Sequence, residues 1–154
     1  MKTLKIPTVF LLVALAFGCS KNKFEPLTNY MKQQDELGAG YFHGSADQAR
    51  DSISRMLEYY QDPNTKLLTD TARAQMVYQT YCRLYMLESR TGHDAAAQDG
   101  LDKAQRWQQQ FYKLANAQGG APELTPDKIR DLVDEIDRRE NNGQLPDYTQ
   151  TKQP

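Results

Sequence analysis

Across residues 45–142 the apolar positions recur at helical spacing, and nowhere does a useful run alternate with the period of a strand. Four main helices are expected. The first begins at Ser45, which with Gln48 three positions later has the form of a capping box. Ala49, Ile53, Met56, Leu57 and Tyr60 make its apolar face, and Asp62-Pro63-Asn64 stops it. The second runs from about Thr69 or Asp70 to Ser89. Its apolar residues (Ala72, Met76, Val77, Tyr78, Tyr81, Cys82, Leu84, Tyr85, Leu87) cover much of the circumference, which marks a central helix buried on more than one side. Thr91-Gly92 punctuates, and the third helix starts near Asp94. Its stripe is Ala97, Leu101, Ala104, Trp107 or Gln108, Phe111, Leu114 and Ala115, opposite a Gln- and Asp-rich face. After a linker at Gly119-Gly120-Ala121-Pro122, Thr125 caps a fourth helix with Pro126 at its first position. Ile129, Leu132, Val133 and Ile136 are its core stripe, and Asn141-Asn142-Gly143 ends it. Loops this short make neighbouring helices antiparallel, so the fold class is all-α, a small helical-hairpin bundle.

The two ends of the chain read differently. Lys2 and Lys5 precede an apolar run from Ile6 to Phe17, too short for the roughly 20 residues of a membrane-spanning helix but suited to a signal peptide. The run closes on Leu15-Ala16-Phe17-Gly18-Cys19-Ser20, which resembles the lipobox of bacterial lipoproteins: a small residue just before a lipid-accepting cysteine. Ala16 and Phe17 depart somewhat from its commonest form. The resemblance implies cleavage before Cys19, diacylation of its thiol and attachment to a membrane through the lipid, which two or three acyl chains make effectively permanent. Ser20 resembles the sorting pattern for an outer membrane, so the expected location is the cell envelope, anchored at the outer membrane and facing the periplasm. Residues 1–18 are then the signal peptide and residues 19–44 a lipidated tether. A short helix in that tether is opened by Pro26, continues from Asn29 to Leu37 and breaks at Gly38-Ala39-Gly40. About 25 residues of leash precede the first long helix. Residues 143–154 lack periodicity and read as a flexible tail.

Composition narrows the function classes. Without the signal the chain has about 136 residues, one domain's worth. The net charge of −1 and the lack of a long basic block argue against nucleic acid as a partner. There are two cysteines, so a lipidated Cys19 leaves Cys82 without a disulfide partner and stability must come from helix packing. Cys82 sits in the apolar stretch Val77 to Leu87. It reads as a small buried hydrophobe; a reactive nucleophile would need a neighbouring His or cation, and His43 and His93 stand beside glycines in apparent turns. No HExxH or cysteine–histidine spacing suggests a metal, no glycine loop could cradle phosphate, and no cofactor or catalytic residue is expected. The acidic run Asp131, Asp134, Glu135 and Asp137 reads as mostly the polar face of the last helix, with Asp134–Arg138 and Glu135–Arg139 four apart.

Aligning Gly44 with Gly92 also aligns Ala49 with Ala97, Asp51 with Asp99, Ile53 with Leu101, Arg55 with Lys103, Met56 with Ala104 and Tyr59 with Trp107. Gly92, Ala97, Leu101 and Ala104 resemble the second helix of a tetratricopeptide repeat, although the copies lie about 48 residues apart against the 34 of that repeat. The resemblance covers mainly Gly92 to Phe111 and implies stacked hairpins whose inner groove binds a peptide or protein. Lipid-anchored helical proteins of that layout include assembly factors for outer-membrane barrels and pilotins for secretins. The Asp–basic pairs four apart are ordinary surface pairs on one reading. On the other, Arg55, Tyr59, Lys103 and Trp107 line a partner-binding groove, because aromatic residues and Arg are enriched at interface hot spots. The expected function is a non-catalytic, membrane-anchored adaptor in envelope or secretion-system assembly with a protein partner. The alternative is a small-ligand or cell-wall-binding lipoprotein with a concave, tyrosine-lined pocket.

Overall fold

A computed structural model of the chain describes residues 25–65 and 67–146. The expected signal peptide, the lipobox-like sequence with Cys19 and the last part of the tail lie outside the described residues. Every regular element among those described is a helix: α1 (Glu25–His43), α2 (Ala46–Gln61), α3 (Asp70–Arg90), α4 (Asp94–Leu114) and α5 (Pro126–Glu140). The fold is an all-α bundle of the four expected main helices and α1, which stands where a shorter tether helix is expected.

Local chemistry sets the helix starts. Gln48 N donates to Ser45 Oγ at 3.4 Å and Ser45 N to Gln48 Oε1 at 2.8 Å, closing the capping box of α2. Ala72 N donates to Thr69 Oγ1 at 3.2 Å, and Lys128 N to Thr125 Oγ1 at 3.4 Å. Each such cap contributes about 1 kcal/mol by satisfying an N–H that the helix leaves orphaned.

α3 is the hub. Thr80, Tyr81, Cys82 and Arg83 are all buried in succession, which requires neighbours on every side, and α2, α4 and α5 supply them. α4 packs along α3 most extensively. Gly100 is where they approach: a Cβ there would lie 3.3 Å from the backbone N of Tyr85. The core joins Val77, Cys82 and Leu87 of α3 to Ile53 of α2, Ala104 of α4 and Val133 of α5.

α1 departs from the expected tether. It runs unbroken through Gly38 and Gly40 to His43, and its Leu37 and Tyr41 are each 1% exposed within the core. Glycine in a helix interior costs roughly 1 kcal/mol relative to Ala, but Gly40 lies where α1 crosses α2. A Cβ at Gly40 would come within 2.1 Å of Ser52 Oγ, so the missing side chain is what lets the two helices meet. The folded body therefore starts in α1 rather than at Ser45. At the other end Gln144 N donates to Asn141 O at 2.9 Å and Pro146 is buried, so residues 143–146 belong to the body too. Leu124, beyond the glycine linker, is 6% exposed and pins that connection to the core.

The two aligned glycines have unlike surroundings. Gly92 has φ +76° with open space around it, a left-handed turn. Gly44 is crowded, with Gly40 O 2.3 Å from where its Cβ would be. The small residues Ala49 and Ala97 are both buried, as helix crossings require.

Candidate functional site

Arg55 and Tyr59 stand one turn apart on α2 and border a hollow of about 310 Å³ shared with Gln33, Leu37, Glu58 and Asp62. Arg55 lies 3.9 Å from Asp51 with both side chains more than half exposed, a weak pair in water. Burial raises the pKa of the Tyr59 phenol, whose ring meets Tyr60 edge-on at 5.7 Å.

Lys103 and Trp107 stand one turn apart on α4. Lys103 Nζ donates to Asp99 Oδ2 at 2.6 Å and lies 5.8 Å from the centre of the Tyr81 ring. The hydrogen bond to Asp99 is the main reason its pKa is raised. Trp107 is half-buried, its ring packed against the core. α2 and α4 make no backbone contact among the described residues, because each packs on α3. The four residues therefore divide into two pairs on separate helices rather than flanking a seam between adjacent ones.

Cys82 is fully buried, and burial pushes its thiol up to about 12. It is protonated at neutral pH and poorly suited to act as a nucleophile. No group of three or more His, Cys, Asp or Glu among the described residues is arranged to hold a metal ion.

The sequence reading missed the ionic centre of the bundle. Asp137, assigned above to the acidic face of the last helix, is 1% exposed. Its Oδ1 accepts from Arg83 Nε at 2.9 Å and its Oδ2 from Tyr41 Oη at 2.8 Å. Arg83 Nη2 donates to Glu140 Oε2 at 2.5 Å, and the guanidinium lies 5.0 Å from the centre of the Tyr41 ring. Burial opposes the charge on Arg83, but Tyr41, Asp137 and Glu140 outweigh it and its pKa rises. Burial pushes the Asp137 carboxyl up, while Arg83 and the Tyr41 hydroxyl pull it back. The available signal was positional. Asp137 falls four residues after Val133 on the apolar stripe, and Arg83 interrupts the apolar run of α3. Asp134, expected to pair with Arg138, faces Arg90 of α3 at 3.5 Å instead, whereas Glu135 and Arg139 do pair, at 2.7 Å.

A second cluster ties three helix ends together. Arg50 Nε donates to the buried Glu88 at 2.7 Å and Arg50 Nη2 to Thr91 Oγ1 at 2.9 Å, while His93 Nδ1 lies 2.9 Å from the other Glu88 oxygen. The hydrogen bond to Glu88 is the leading cause of the raised Arg50 pKa.

A cavity of about 500 Å³ opens beside Arg83. It exists because α1 rests on α2 and α5 on α3, leaving no backbone contact between α1 and α5. Its lining draws Gly38, Ala39 and Phe42 from α1, Met56 from α2, Met76 and Arg83 from α3, and Glu140 from α5. Comparison with protein-family models, curated proteins and solved structures gives no match to this chain.

Proposed function

We propose that this chain is a non-catalytic, lipid-anchored helical adaptor, held at the periplasmic face of an outer membrane by acylated Cys19 and presenting its helical body to a protein of the envelope. The observation that carries the reading is the sequence Leu15-Ala16-Phe17-Gly18-Cys19-Ser20 closing an apolar run that two lysines introduce. Among the described residues no helix is long and apolar enough to cross a bilayer. Cys82, buried and protonated at neutral pH, offers no ready nucleophile. Two faces suit a partner: the hollow beside Arg55 and Tyr59, and the α4 surface with Lys103 and Trp107. The finer form of this proposal is tetratricopeptide-like stacking of hairpins, for which the buried Ala97 and Ala104 and the close crossing at Gly100 speak.

Cys19→Ser should leave the circular dichroism unchanged, abolish incorporation of radiolabelled palmitate and move the protein from the membrane to the soluble fraction. Membrane retention of that variant overturns the anchor. Site-specific photocrosslinking from positions 59 and 107 in intact cells should trap a discrete envelope protein. Failure at both positions, with the membrane fractionation intact, overturns the adaptor.

A further inference from the structure

The cavity between α1 and α5 carries polar chemistry that the bundle leaves unfinished. Arg83 has five N–H donors. Nε serves Asp137 and Nη2 serves Glu140, while Nη1 has no acceptor among the described residues although Arg83 lines the cavity. Gln34, which also lines the cavity, accepts a hydrogen bond from the Tyr60 hydroxyl through Oε1, but its Nε2 is buried without a partner. A buried unmet donor such as Gln34 Nε2 is uncommon in proteins, whereas the unused Nη1 of Arg83 is not fully enclosed and is open to solvent or a ligand. Both donors border the same space.

The rest of the lining is mixed, with Asp35, His43, Asn141 and Asn142 beside an apolar, adaptable part. Phe42 offers a ring whose centre is 5.8 Å from the Arg83 guanidinium, and Met56 and Met76 have flexible thioether chains that repack around different shapes. A volume of about 500 Å³ falls within the range of small-molecule sites. Charge narrows the ligand further. Arg83 is matched by Asp137, which is 1% exposed and fixed between two donors, and by Glu140, which ends α5 with 45% of its side chain in water. Of the two carboxylates only Glu140 reaches water, so it is the one that can turn away from Arg83.

We infer that this cavity binds a small amphiphilic carboxylate, whose apolar part lies against Phe42, Met56 and Met76 and whose carboxylate takes the place of Glu140 on Arg83. The exchange keeps the charge around Arg83 constant, since one carboxylate replaces another while Glu140 turns to solvent. An ammonium in the same position would face the guanidinium and be repelled. The site is independent of the adaptor reading and of Cys19.

The test is a calorimetric titration of the full chain, solubilised in a non-ionic detergent, with hydrocinnamate and, separately, with phenethylamine. Saturable binding of hydrocinnamate without binding of phenethylamine is expected. Ala39→Trp, an exposed cavity-edge position, should block binding while leaving the unfolding midpoint near that of the parent. Glu140→Ala should tighten binding by up to about fivefold, by removing the internal competitor. Absence of saturable hydrocinnamate binding, equal binding of phenethylamine, or unchanged binding in a folded Ala39→Trp protein each overturns the proposal. Weaker binding in Glu140→Ala overturns the exchange of carboxylates.

Discussion

Arg83 Nε donates to Asp137 Oδ1 across 2.9 Å, joining the middle of α3 to the last turn of α5 with both side chains almost wholly out of water. α5 packs on α3 and on no other helix at the backbone level among the described residues, so this pair and the Tyr41 hydroxyl fix where it sits.

Breaking that pair from one side should be far worse than removing it. Arg83→Met leaves Asp137 buried with its main counter-charge gone and is expected to cost about 3–5 kcal/mol in urea unfolding. Arg83→Met combined with Asp137→Leu removes both charges and should recover a large part of that loss. Additive costs in the double variant would show that the two groups are not coupled.

Gly40 and Ser52 form a second testable couple. Gly40→Ala should destabilise by roughly 1–3 kcal/mol, because the new methyl collides with a hydroxyl whose chain cannot retreat far. In a Ser52→Ala background the nearest atom left is the Cβ of residue 52, at 3.5 Å, an ordinary contact. There the same change should become neutral or stabilising through helix propensity, by up to about 1 kcal/mol. Thermal melts of the four proteins in this cycle decide it.

The Cys82 thiol, pushed from 9.0 to about 12 by burial, gives a pH dependence with a definite sign. Between those values the unfolded chain has lost this proton while the folded protein keeps it. Unfolding therefore becomes easier as pH rises through that window, and the contribution is absent below about pH 9. The comparison with Cys82→Ala isolates it: the parent should lose more stability than the variant on going to alkaline pH. Iodoacetamide near pH 8 should leave Cys82 unmodified until denaturant is added.

Because Tyr59 and Trp107 sit on helices without backbone contact among the described residues, Tyr59→Ala and Trp107→Ala should be additive in stability within about 0.5 kcal/mol. A larger coupling energy in chemical denaturation would mean that the two rings share a surface.

The helices legible in the sequence are those whose limits are written locally. Ser45 with Gln48, and Thr125 with Pro126, announce their caps within four residues, and α2 and α5 begin where these place them. The first part of α1 was legible from Pro26 and the stretch to Leu37, but its continuation to His43 was not, because its glycines are breakers on local rules. What overrides those rules is Ser52, a residue on another helix that Gly40 must approach. The missed ionic centre has the same origin. Arg83, Asp137 and Tyr41 are polar residues whose partners lie 54 and 96 positions apart, so nothing in any one helix shows that they satisfy one another. The pairs four apart on one helix, Lys103 with Asp99 and Arg139 with Glu135, were legible because a single turn contains both members.

The early start of α1 alters the geometry that a lipid at Cys19 imposes. The helix begins at Glu25, so only positions 20–24 separate it from the cysteine. A chain of that length spans at most roughly 20 Å even when fully extended. An acylated Cys19 thus confines the bundle to a thin layer over the headgroups, where encounters become a search in two dimensions. A partner embedded in the same leaflet gains effective concentration from that confinement, and one free in the bulk does not.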